Sequence, residues 1–189
     1  MRVLEMSHTV RLPANHFWSL RNDSSFERFC AEADGCRFLL LALEHSTDAE
    51  GTTFVCKSEV IAETSPLPHA LQTLLGAQAF VLNTTSSWWR EQHDRAHPCT
   101  FETRPRPFGD RVSIQGETWV DDLTRDTCRV NYRVEIKCHV WYQALSTMLE
   151  TALAKRMHES YAKGDRLPPA HKHRSLPSYS CELTRARAC

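Results

Sequence analysis

The chain has 189 residues, 41% apolar and 24% charged, and its 23 basic and 23 acidic side chains cancel to zero formal charge. That size suits one domain, or one domain with a tail, and the apolar share is enough for a packed core. A chain without net charge has no global field to attract nucleic acid or an anionic membrane, so neither is expected as its main partner.

Met1–Leu12 lacks the apolar run of a signal peptide, and the longest greasy stretch, Phe38–Leu43, is far too short to cross a bilayer. A cytoplasmic protein is the expectation. The eight cysteines include no Cys-x-x-Cys, and several fall within strand-like runs. They read as reduced thiols serving as small core residues.

In chain order, Leu4, Met6, His8, Val10 and Leu12 alternate with polar residues, the period of a half-buried strand, which Pro13 ends. Phe17, Trp18 and Leu20 form a first short helix. Ser24-Ser25-Phe26-Glu27 has the spacing of a capping box and predicts a second helix, with Gly35 as its stop. Arg37–Glu44 and Thr52–Glu63 read as a hairpin about Asp48–Gly51. Phe54, Cys56 and Val60 point away from Lys57 and Glu59.

Leu67, Leu71, Leu74 and Leu75 predict a short helix over 66–79, and Phe80–Gln92 a strand with Trp88 and Trp89 on opposite faces. Thr100–Arg104 is a short strand that Pro105 should end. Arg111–Asp121 is another strand, with Ile114 on its apolar face. Cys128–Cys138 then alternates apolar with charged, as in an antiparallel sheet solvated on one side. A long helix follows over Trp141–Lys163, with Trp141, Leu145, Met148, Leu149 and Ala152 as its apolar stripe. From Asp165 the chain turns proline-rich, basic and poor in apolar residues, so the division is a domain over 1–164 and a flexible basic tail over 165–189.

The order of strand, two short helices, six antiparallel strands and one long helix is α+β. It resembles the helix-grip fold of the START-like (SRPBCC) superfamily, over about residues 3–163. The residues that carry the resemblance are Val10-Arg11-Leu12-Pro13-Ala14, then Phe17-Trp18, then Asp23-x-x-Phe26. The insert Leu67–Gly76, followed by the strand carrying Trp88, is similar to a branch of unknown function related to the sterol-binding VASt domains. The resemblance implies a curved sheet of about seven strands gripping the last helix, with an apolar cavity between them.

Such a cavity would be lined by His8 of the first strand, Phe54 and Cys56 of the third, Trp88 of the fourth and Ile114 of the sixth. Tyr132 and Val134 would join from the last strand, and Leu145, Met148, Leu149 and Ala152 from the helix. The same side chains could instead fill a solid core. His8 and Tyr132 are the candidate polar hooks of the set, with a core-edge His8 paired to a backbone group, and a Tyr132 hydroxyl satisfied by a neighbour, as the competing readings.

The expected function is binding or transfer of a lipid, a sterol-like molecule or another hydrophobic metabolite. A cyclase or aromatase using the same cavity, and a protein-interaction module with a solid core, are the alternatives. The sequence holds no nucleophile elbow, no phosphate loop and no His-Glu-x-x-His. No catalytic residue, metal or cofactor is therefore assigned. The basic tail offers weak contact with a membrane surface.

Overall fold

The computed structural model describes residues 1–22, 24–63, 69, 72–73, 80–106, 108–139 and 143–163. The insert helix over 66–79, Trp141 and the basic tail fall largely or wholly outside these residues.

β1 (Arg2–Val10) leads into α1 (Ala14–Ser19), a single 3-10 turn (Leu20–Asn22) and α2 (Ser24–Ala33). The meander β2 (Cys36–Thr47), β3 (Thr52–Ala62), β4 (Val81–Trp89), β5 (Cys99–Arg106), β6 (Val112–Thr124) and β7 (Thr127–Cys138) follows, and α3 (Gln143–Lys163) closes the chain's described part. The sheet order is β1-β7-β6-β5-β4-β3-β2, with every neighbouring pair antiparallel. β1 therefore joins the last strand, and the α1–α2 connection carries the chain from one sheet edge to the other. This is the helix-grip arrangement of a curved antiparallel sheet with one long helix. No helix among the described residues is long and apolar enough to cross a membrane.

The alternation in β7 sets the core. Cys128, Val130, Val134 and Ile136 are fully buried on the inner face, joined from β6 by Val112, Ile114 and Val120. Ala14, Phe17 and Trp18 of α1 close over the end of this layer. Trp18 and Trp88 are buried and keep their indole N–H groups paired: Trp18 Nε1 donates to the Trp89 carbonyl at 2.7 Å and Trp88 Nε1 to Asn22 Oδ1 at 3.1 Å. At the β2–β3 turn the Asp48 carboxylate accepts from the backbone N–H groups of Glu50 and Gly51.

Three local expectations change. Ser24 is the first residue of α2 rather than its cap, and Glu27 turns to Arg21, 3.5 Å away. Gly35 does end the helix, at φ +68°. The Arg156 guanidinium, reaching from α3, donates to the Asp34 carbonyl just past the end of α2.

Pro105 does not end β5, which runs on to Arg106. The ladder with β6 stops at Thr103, so β5 is an edge at that point, and an edge tolerates proline.

The buried stripe of α3 is also rotated. Leu145, Leu149, Leu153 and Met157 follow one another at i+4 and meet the core, while Met148 is exposed. Apolar residues recur around most of this helix, so its pattern alone does not select a face. The tethers help to do so: the Met1 ammonium pairs with Glu150 at 2.9 Å, and Arg2 donates to Thr151.

Candidate functional site

The strand registers arrange the inner face in rows that cross the sheet. One runs Leu4, Val134, Gly116, Phe101, Ser86, Cys56, Leu43. The next runs Ile136, Ile114, Thr103, Thr84, Ser58, Leu40. In both, the β6–β7 half is aliphatic or glycine and the β3–β5 half carries hydroxyls. Thr103 and Ser58 are buried, and the Thr84 and Thr103 hydroxyls pair at 2.9 Å.

α3 rests chiefly on β7 and β1. The inner face of β3–β5 thus lies beside the helix. Phe54, Leu82, Thr84, Ser86 and Phe101 are half-buried there.

Gly116 shapes this region. A Cβ at Gly116 would fall 2.5 Å from Phe101 Cζ and 2.8 Å from the Arg133 carbonyl oxygen. The Phe101 ring therefore lies across the glycine, the cross-strand pairing in which an aromatic covers the space a side chain would fill.

Of the residues expected to line a cavity, two aromatic pairs form. His8 stacks on Tyr132 with ring centres 5.5 Å apart, and Phe54 stacks on Trp88 at the same separation. The first pair lies on β1 and β7, the second on β3 and β4, with β5 and β6 between them. Cys56, Ile114, Val134 and Leu149 are buried, and Leu145 and Ala152 are half-buried. Met148 is 47% exposed and leaves the lining set, because it sits one residue off the stripe that reaches the core.

Sequence reasoning missed the hydroxyl rows and a cluster at the 3-10 turn. Arg21 stands over the Trp18 ring, its guanidinium carbon 5.4 Å from the ring centre. Its Nη1 lies 3.5 Å from Glu27 Oε1 and donates to Cys99 Sγ at 3.8 Å. Burial raises the Cys99 thiol above its ordinary value and pushes Cys56 up to about 11, so both sulfurs are protonated, weak nucleophiles at neutral pH. Thr84 and Ser86 stand at i−4 and i−2 from Trp88, so parity with that tryptophan was the available signal.

No three His, Cys, Asp or Glu among the described residues are placed to hold a metal. His93 Nδ1 lies 3.2 Å from the Val120 carbonyl, and His97 Nδ1 3.1 Å from Asp94 Oδ1.

The outer face carries two open recesses of its own. One, of about 710 Å³, crosses β4–β7 and is bordered by Thr85, Glu102, Gln115, Glu117, Arg133 and Glu135. The other, about 270 Å³, lies between Leu41, Lys57, Asn83 and Arg104. Glu117 faces this side, paired with Arg133.

Known proteins agree with the architecture. A protein of Arthrobacter aurescens superposes with a TM-score of 0.53 at 9% identity, over 91% of this chain and 93% of its own. The Zhui aromatase/cyclase of Streptomyces sp. R1128 gives 0.51 at 11% identity, over 89% and 97%. A protein of Thermus thermophilus gives 0.51 at 14%, over 86% and 93%. Identities this low speak for the fold alone. No curated protein matches the chain. A family model described as "Protein of unknown function (DUF2505)" matches residues 5–167.

Proposed function

The chain belongs to the DUF2505 family, and we propose that it binds a hydrophobic small molecule, lipid-like or sterol-like, against the inner face of β3–β5 beside α3. One observation carries this reading: Phe54, Leu82 and Phe101 are only half-buried although they point inward, on the part of the sheet that α3 does not chiefly contact. Covering such a surface is worth ~25 cal/mol per Å² of apolar area, so an apolar ligand gains affinity there without covalent chemistry. Thr84, Ser86 and the Trp88 end of the face would orient a hydroxyl or carbonyl on it. VASt-like sterol binding is one form of this proposal.

The second reading is an enzyme of the cyclase type, the activity named for the Streptomyces protein. The observation that favours it is the His8–Tyr132 stack, which places two titratable rings on the same inner face. A Tyr132→Phe variant that keeps ligand affinity but loses turnover would select it.

The binding reading is tested by Ser86→Trp, which puts an indole on the half-buried patch. A fluorescent fatty acid or sterol probe should bind the wild type and lose affinity at least about tenfold in the variant, with the fold retained by circular dichroism. Equal probe affinity in both would refute the assignment of the patch.

A further inference from the structure

We propose that β2 is the interface of a symmetric dimer, in which two copies pair their β2 edges antiparallel and continue one sheet into the other. β2 is an edge strand, with β3 on one side and no strand among the described residues on the other. Its centre is the greasiest run of the sequence. Leu39, Leu40, Leu41 and Leu43 are 39%, 37%, 61% and 36% exposed, while the other large exposed apolar residues among those described, Met1, Val3, Leu123 and Met148, lie elsewhere. Proteins normally guard a long edge with charges or proline, because its free N–H and C=O groups are a template for another strand. Here the middle of the edge is bare leucine.

The charges on β2 select a second copy of the chain as the occupant. Arg37 and Glu44 flank the leucine run, both are exposed, and neither has an ion-pair partner among the described residues. A twofold axis through the Leu40–Leu41 step sets Arg37 of each copy opposite Glu44 of the other, and Phe38 opposite Leu43.

Outside the bulged Leu40–Leu41 step at the axis, antiparallel partners must share a face of the sheet. In a regular strand Arg37 and Glu44, seven residues apart, would point to opposite faces. The register shift between Leu40 and Ala42 inserts Leu41 as an extra residue and restores the match. Arg37 pairs with Ile61 and Glu44 with Val55, both on the outer face, while Phe38 pairs with Val60 and Leu43 with Cys56, both on the inner face. A bulge often blunts an edge. In β2 it makes the edge self-complementary and puts Leu41, its most exposed leucine, at the dyad.

The test is sedimentation velocity on the purified full chain over a wide concentration series. The wild type should dimerise and Leu41→Lys should be monomeric. Arg37→Glu and Glu44→Arg should each weaken self-association about tenfold, because each sets two like-charge pairs across the dyad. Mixing these two variants should restore a heterodimer, since each then meets its opposite charge twice. Circular dichroism and thermal unfolding like those of the wild type establish that each variant is folded. A wild type that stays monomeric throughout, charge reversals that leave the dimer unchanged, or a mixture that does not recover association would overturn the proposal. So would a monomer that binds phospholipid vesicles and loses that binding in Leu41→Lys, which would assign the leucines to a membrane surface.

Discussion

Gly116→Ala tests the packing on which the half-buried patch depends. The new methyl would stand 2.5 and 2.8 Å from Phe101 Cζ and Cε1, and 2.8 Å from the Arg133 carbonyl oxygen. Carbon atoms pack best at about 3.5–4 Å, so the ring must withdraw by roughly an ångström. Phe101 is half-buried and can swing toward the patch. The Arg133 carbonyl cannot follow, because β6 and β7 hold their ladder on both sides of this position. Overpacking of this kind costs about 1–3 kcal/mol, and the gain from replacing glycine within a strand returns about 0.5–1 kcal/mol, leaving a net loss of up to about 2.5 kcal/mol. Urea unfolding should show a lower midpoint with an unchanged slope. In a Phe101→Ala background two of the three contacts disappear. The same substitution should then cost less, by about 0.5 kcal/mol or more. An equal cost in both backgrounds, or a Gly116→Ala protein more stable than wild type, would refute the reasoning.

The remaining predictions concern the helix, the indoles and the thiols. Leu149→Ala should lose about 2–5 kcal/mol, whereas Met148→Ala should stay within about 0.5 kcal/mol of wild type; equal losses in thermal unfolding would reverse the assigned face of α3. Trp18→Phe removes the donor to the Trp89 carbonyl. It should cost about 1–3 kcal/mol by denaturant titration, and a neutral result would contradict the pairing. Burial pushes the Cys56, Cys128 and Cys138 thiols from 9.0 to about 11. Their folded values lie above their unfolded ones, so the stability they contribute is complete below pH 9 and is lost as pH rises through 11, at about 2–3 kcal/mol for each thiol. Unfolding free energies that stay flat from pH 8 to about 11 would contradict this.

How far the fold could be read from the sequence depended on whether an element buries one face or is ambiguous all round. β7 shows polar and apolar residues in strict alternation and β1 follows it from Leu4 with His8 on the apolar side, so their faces were legible, and His8, Tyr132 and Val134 point inward as that alternation requires. α3 was legible as a helix but not in its rotation, because Ala144, Met148, Ala152 and Ala154 offer apolar surface on several sides. Pro105 misled because a strand-ending proline and an edge proline look alike until the ladder on each side is known. Thr84 and Ser86 were not read as site residues, although parity with Trp88 turns them inward, because hydroxyls at strand positions resemble a solvated face; Thr103 is turned inward by its register with Thr84 and Ile114. Arg21, Glu27 and Cys99 come together through tertiary packing, which no local spacing encodes.

Native mass spectrometry of the purified chain, with organic extraction of bound material and addition of a lipid and sterol panel, tests the central claim most directly. The account predicts an apolar molecule carried on the wild-type protein, or taken up from the panel, and absent from Ser86→Trp. A wild-type chain that carries none, takes up none of the panel and gains no thermal stability from any of it would contradict the account.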